Sequence, residues 1–237
     1  ARGERAPAAK TDPIPGVTYH DILGGLKDPS RWPTFSGDYS GQRHSPLKQI
    51  TPENVRRLVP QWTFQAEGMA IGRGFEATPI IQDGVMYVSG TGNYAWAVDM
   101  RSGRQIWRYR RALPPGLTSG GGNPANRGMA ILGDRLFMGT LDAHLIALDR
   151  HSGEVLWDVV VDDFKTGHAI TGAPLVVKDK VIVGNAGGDL PARGFLDAYD
   201  PATGKRIWRF YTIPGAGEPG SETWSDACAL PRGGGGR

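Results

Sequence analysis

Three charged side chains stand at loop-to-strand junctions or beside glycines. Glu76 lies in Gly74-Phe75-Glu76-Ala77-Thr78-Pro79, Arg127 in Asn126-Arg127-Gly128, and Asp189 directly after Ala186-Gly187-Gly188. A guanidinium can grip carboxylates in a two-pronged fashion. A carboxylate is a hard oxygen ligand for a divalent cation, although one alone does not make a site. Glycines let main chain come close to a bound group. Each residue also has a plain structural reading: Glu76 as a solvated residue ahead of a strand, Arg127 as the partner of Asp134 or Asp142, and Asp189 as an ordinary turn residue. Gly120-Gly121-Gly122 reads as a flexible loop and not a phosphate cradle, because no helix follows it. The histidines (His20, His44, His144, His151, His168) show no ligand spacing, and Cys228 stands alone, so neither a disulfide nor a cysteine metal site forms within the chain. No pairing of nucleophile and base suggests a hydrolase.

The elements that must position these residues are set by an internal repeat. Ala97-x-Asp99-x3-Gly103-x3-Trp107 recurs as Ala147-x-Asp149-x3-Gly153-x3-Trp157 and as Ala198-x-Asp200-x3-Gly204-x3-Trp208, so the tryptophans are 50 and 51 residues apart. Four fixed residues match by chance at on the order of one in 10⁵ start positions. Each repeat reads as four short strands, clearest in the second: Gly128 to Leu132, Arg135 to Gly139, His144 to Leu148 and Val155 to Val161. Gly133-Asp134 is a tight hairpin signal between the first two. In the Asp-x-x-Ser/Thr-Gly segment the polar side chains bond nearby main-chain N–H groups and the glycine takes a positive φ. The outer-strand tryptophan is then expected to cover the junction with the next repeat. Four strands per repeat define an all-β fold, a β-propeller.

Composition agrees. The 237 residues hold 35 glycines and 18 prolines, which suits many turns, and a hydrophobic content of 39% suffices for a core. A net charge of +3 with scattered Lys and Arg gives no nucleic-acid stripe, and no apolar run approaches membrane-spanning length. Residues 1–31 read as an N-terminal arm with a short helix near Tyr19 to Leu26, residues 32–224 as a partial propeller, and residues 225–237 as a diverged Gly-rich tail. Trp62 reads as belonging to an outermost strand that has no inner strands before it. With three whole blades and this orphan strand, the sequence is expected to be incomplete.

The segment from Trp32-Pro33-Thr34-Phe35-Ser36-Gly37-Asp38-Tyr39 to Leu47, followed by Ile50-Thr51-Pro52-Glu53-Asn54-Val55, resembles the entry segment of pyrroloquinoline quinone (PQQ) dependent alcohol and glucose dehydrogenases. The Trp-terminated repeats, Asn126-Arg127-Gly128, Gly139-Thr140-Leu141-Asp142 and Gly194-Phe195-Leu196-Asp197-Ala198-Tyr199-Asp200 are similar to that family's motifs, from about Val17 to Trp224. The resemblance implies an eight-bladed ring around PQQ and Ca²⁺. It implies oxidation of an alcohol or sugar hydroxyl, with electrons passing to a cytochrome or quinone in the periplasm. It makes Glu76, Arg127 and Thr140 cofactor contacts, Ala186, Gly187 and Gly188 a loop against PQQ, and Asp189 the metal carboxylate. PQQ carries three carboxylates, which a guanidinium suits.

Two departures qualify this. Ser119 to Ala125 contains no cysteine, whereas many alcohol dehydrogenases of the family carry adjacent cysteines there; this points toward a branch nearer the glucose dehydrogenases and away from a methanol-type substrate. After Glu222-Thr223-Trp224 the family pattern stops, and no residue matches its catalytic base, so these residues alone are expected to be inactive. The competing reading is a non-enzymatic propeller scaffold for protein binding, which needs the tryptophans but not Glu76, Arg127 and Asp189 around one channel.

Overall fold

Each Ala-x-Asp-x3-Gly-x3-Trp repeat builds the outer half of one antiparallel sheet. The structure, a computed structural model, describes residues 16–66, 75–117, 124–188, 190 and 192–223. The first sheet runs in chain order from β1 (Ile80–Gln82) through β2 (Val85–Gly90) and β3 (Tyr94–Asp99) to β4 (Gln105–Arg110). The second is β5 (Ala130–Leu132), β6 (Arg135–Gly139), β7 (His144–Asp149) and β8 (Val155–Val160). The third is β9 (Leu175–Val177), β10 (Lys180–Gly184), β11 (Phe195–Tyr199) and β12 (Arg206–Tyr211). The strands expected in the second repeat form within two residues of their expected limits.

The repeat residues have identifiable duties. Asp99 Oδ1 accepts from the N–H groups of Arg101 and Ser102 at 3.1 and 2.8 Å, and Gly103 closes the turn at φ 69°. Asp149 and Asp200 repeat this with Ser152 and Thr203. The alanine faces the tryptophan across the outer strand pair (Ala97 with Trp107, Ala147 with Trp157, Ala198 with Trp208), and the register shifts immediately after it each time. All three alanines are fully buried, so a larger side chain at this bulge has no room.

The tryptophans join the sheets. Trp107 Nε1 donates to the Arg150 carbonyl at 2.9 Å and Trp157 Nε1 to the Pro201 carbonyl at 3.1 Å, each in the turn of the following repeat. The glycine of that turn lies flat beneath the indole: a Cβ on Gly153 would stand 2.7 Å from Trp107. Trp62 docks likewise, donating to the Met100 carbonyl at 2.9 Å over Gly103. Its segment, however, belongs to no sheet among the described residues. Among the described residues the expected outer strand therefore keeps its docking but pairs with no strand. One apolar core, including Ile80, Tyr87, Phe137, Leu145, Val181 and Phe195, runs through all three sheets.

The described part of the arm is tied to this frame. Thr18 caps α1 (Tyr19–Gly24), which a single 3₁₀ turn over Gly25–Lys27 extends, as the expected short helix requires. Val17 pairs with Gly133 in the β5–β6 turn, Trp32 pairs with Ile81 of β1, and the Tyr39 hydroxyl donates to the Val176 carbonyl of β9. One segment thus spans all three sheets. Residues 1–15 and the tail from Trp224 onward lie outside the described residues.

Candidate functional site

The segments that lead into β1, β5 and β9 occupy the same place in each repeat. Glu76, Asn126 and Thr171 each stand four residues ahead of the first strand of their sheet. These lead-in segments bond to one another: the Arg127 N–H donates to the Thr171 carbonyl at 2.9 Å, and the Thr78 N–H donates to the Arg127 carbonyl at 3.2 Å. The main chain of Arg127 therefore bridges from the third sheet to the first.

Its side chain does the same. Arg127 Nη2 lies 3.0 Å from Glu76 Oε2, and Nη1 donates to Thr171 Oγ1 at 2.9 Å. The reading of Arg127 as a partner of Asp134 or Asp142 does not hold, because Arg150 takes Asp134 and Arg111 takes Asp142. The Arg127 side chain is 40% exposed, so a guanidinium oriented from two sides still reaches solvent. Glu76, one-third exposed, is an ion-pair partner and not a merely solvated carboxylate.

The Ala186–Gly188 segment follows β10 and adjoins this cluster. The Ala186 N–H donates to the Ala169 carbonyl at 2.7 Å, two residues before Thr171. Gly187 is buried with φ 122°, and a Cβ there would stand 2.5 Å from the Gly167 carbonyl oxygen and 2.7 Å from Ala192. Gly188 is exposed with open space around its Cα. Gly187→Ala should therefore cost about 2 kcal/mol or more through a strained φ and a main-chain clash. Gly188→Ala should be near silent, and thermal melts of the two variants compared with the parent check the pair. Asp189, the expected metal carboxylate, lies outside the described residues, and no group of three or more His, Cys, Asp or Glu that could hold a metal occurs among the described ones.

Thr140 is placed differently. It is buried in the β6–β7 turn, where its Oγ1 accepts from the His144 N–H at 2.9 Å and its hydroxyl faces the His144 carbonyl at 3.3 Å. Its hydroxyl thus serves the turn, and the hydroxyl on Arg127 is that of Thr171. Lining up the lead-ins to the three inner strands would have found Thr171, since it occupies the repeat position of Glu76.

Farther from the inner strands, charged groups cross the sheet junctions. Arg111 binds Asp142 at 2.7 Å and also reaches Asp158 and His144, while Asn93 Nδ2 donates to Asp142 at 3.0 Å. Burial alone would raise the Asp142 carboxyl, but hydrogen bonds from Arg111 and Thr140 and the Arg111 charge hold it below its ordinary range. At the next junction Arg209 grips the fully buried Asp197 two-pronged, at 2.7 Å on each oxygen, and reaches Asp162 at 2.7 Å.

Four-stranded sheets docked by tryptophans, with a polar cluster at the lead-ins to their first strands, define a β-propeller repeat protein. The family model described as PQQ: glucose/ethanol/alcohol dehydrogenase, beta-propeller domain, matches residues 32–234, and the chain belongs to that family. It is 46% identical over 186 residues to quinohemoprotein alcohol dehydrogenase ADH IIB of Pseudomonas putida, covering 78% of this chain and 26% of that protein. It is 38% identical over 244 residues to ADH-IIG of Pseudomonas putida, covering 97% of this chain and 33% of the relative. The solved structure of ADHIIG from Pseudomonas putida HK5 superposes with a TM-score of 0.77 at 40% identity, over 86% of this chain and 30% of that one. The chain spans about a third of the length of such relatives. No helix among the described residues is long and apolar enough to cross a membrane.

Proposed function

We propose that this chain forms one wall of the cofactor site of a PQQ-dependent alcohol dehydrogenase, with Arg127 as its main anchor. The observation that carries this reading is the Arg127 guanidinium, oriented by Glu76 and Thr171 at the lead-ins to three successive inner strands and still open to solvent. The donor set suits PQQ: a fixed cation for its carboxylates, a hydroxyl beside it, and the Ala186–Gly188 main chain, where Gly188 is exposed with open space around it. Thr171 takes the hydroxyl contact that the family resemblance assigned to Thr140. Glu76 holds the plane of the guanidinium, so an anionic ligand shares Arg127 with it. Asp189 remains our choice for the carboxylate on a Ca²⁺ ion. When bound, PQQ supplies the quinone carbonyl that accepts hydride from the substrate.

An alcohol is the substrate class we favour, because the relatives above are named alcohol dehydrogenases. That sets aside the leaning toward glucose drawn from the absent cysteines. A cytochrome or quinone as electron acceptor and the periplasm as compartment follow from family membership as further parts of the proposal.

Titration of the full 237-residue chain with PQQ in the presence of Ca²⁺, followed by tryptophan fluorescence and PQQ absorbance, tests the reading. Saturable binding is expected, weakened about 10- to 100-fold in Arg127→Ala, as for loss of a charged hydrogen-bond donor. Arg127→Lys should fall between, since it keeps the charge and loses the fork. Equal affinity in Arg127→Ala and the parent would overturn it.

A further inference from the structure

Directly behind Arg127 sits an uncharged side chain that joins two sheets. Asn126 is 4% exposed. Its Oδ1 accepts from the Gly128 N–H at 3.0 Å and from the Ser89 hydroxyl, in β2, at 2.5 Å. Its Nδ2 donates to the carbonyl of Gly139, the last residue of β6, at 2.8 Å. One amide thus fastens the far side of the Arg127 residue, the neighbouring sheet and its own sheet together. Only an amide does this, because one end must accept twice while the other donates.

The turn it holds is an unusual one. Gly128 has φ 138°, and a Cβ there would stand 3.1 Å from the Thr78 carbonyl oxygen and 3.5 Å from Ala173. The Asn126-to-Gly128 bond spans the peptides on both sides of Arg127, and those peptides make the bonds to Thr171 and Thr78. Rotation of this turn would carry the guanidinium away from Glu76 and Thr171 together. The repeat underlines the point, since the same position holds Glu76 in the first sheet and Thr171 in the third, side chains that contact Arg127 itself.

We propose that Asn126 is a positioning residue for cofactor binding: it locks the main chain of Arg127 so that the guanidinium is presented between Glu76 and Thr171. This rests on Arg127 being the anchor for PQQ. A double-mutant cycle separates positioning from mere support. Dissociation constants for PQQ are measured for the full chain, Asn126→Ala, Arg127→Ala and the double variant, with Ser89→Ala as a milder change that removes one bond and leaves the amide. Circular dichroism confirms folding at the titration temperature, and Ser89→Ala carries the cycle if Asn126→Ala does not fold.

Asn126→Ala should weaken PQQ binding about 10-fold or more, the scale on which misplacing a binding group is felt, and Ser89→Ala by a smaller factor in the same direction. In the Arg127→Ala background both changes should alter affinity less than about 2-fold, because the group they position is gone. The same fold-loss with and without Arg127 would assign Asn126 a general structural role and overturn the proposal, as would unchanged binding in both single variants. A parent chain that fails to bind PQQ, or one indifferent to Arg127→Ala, overturns the anchor reading instead, and the positioning role falls with it.

Discussion

Trp107→Ala is expected to lower the stability of the chain by about 3–5 kcal/mol, whereas Trp208→Ala at the same repeat position should cost no more than about 1 kcal/mol. The two indoles have the same cross-strand neighbour, an alanine at a bulge. They differ in what lies on their outer face. Trp107 is 7% exposed, rests on Gly153, packs near Tyr87 and donates to the Arg150 carbonyl. Its removal opens a cavity at a sheet junction and leaves that carbonyl without its donor. Trp208 is 40% exposed, so a large part of the surface that truncation removes is already in water. Urea unfolding followed by far-ultraviolet circular dichroism, with the slope held equal among variants, gives both numbers. Similar losses at the two positions would mean that these tryptophans stabilise their own sheet and not the contact with the next.

The second large effect is at the other kind of junction contact. Arg209→Met should destabilise the chain by about 3–5 kcal/mol, the range for breaking a buried pair from one side. Asp197 has no exposed side-chain surface, and in the variant its two oxygens would keep the Tyr199 hydroxyl at 2.8 Å and the more distant Arg206 guanidinium at 3.8 Å, but no two-pronged grip. Asp162 and the Val161 carbonyl lose Arg209 as well, and Phe195 loses a guanidinium 3.6 Å above its ring. Adding Asp197→Asn to Arg209→Met should recover a substantial part of the loss, because the charge left behind is then gone. Differential scanning calorimetry of the single and double variants decides the matter. A double variant no more stable than Arg209→Met would show that the guanidinium acts through packing and not through its charge.

The fold was legible in the sequence because its determinants are local and recurrent. Asp149, Ser152 and Gly153 make their turn within five residues, Gly133-Asp134 makes its hairpin within two, and the unbroken apolar run from Leu145 to Leu148 tells which strand is buried on both faces. The contact of each tryptophan with the next repeat was also foreseeable, since an aromatic at the end of every repeat has to be covered by something. The site was legible only in part. Glu76 and Arg127 stood out through the family resemblance of their short motifs, and the structure brings them together. Thr171 did not stand out, because a threonine ahead of Gly172-Ala173-Pro174 has no chemistry of its own until Arg127 reaches it from a segment 44 residues earlier. Arg209 with Asp197 and Asp162 was hidden for the same reason: many Arg–Asp pairings are possible in a chain this charged, and only the stacking of sheets selects among them.

The lead-in position shared by Glu76, Asn126 and Thr171 carries a wider consequence. A frame built by rotation of one unit offers every sector the same attachment point, at the same radius and height. Here those points hold an anion, an amide with the cation that follows it, and a hydroxyl. Near-symmetry of the backbone is thereby converted into a directional pattern by one side chain per sector. A molecule with no symmetry can be read in a single orientation, and changing one sector's residue would rewrite that part of the pattern while the neighbouring sectors keep theirs.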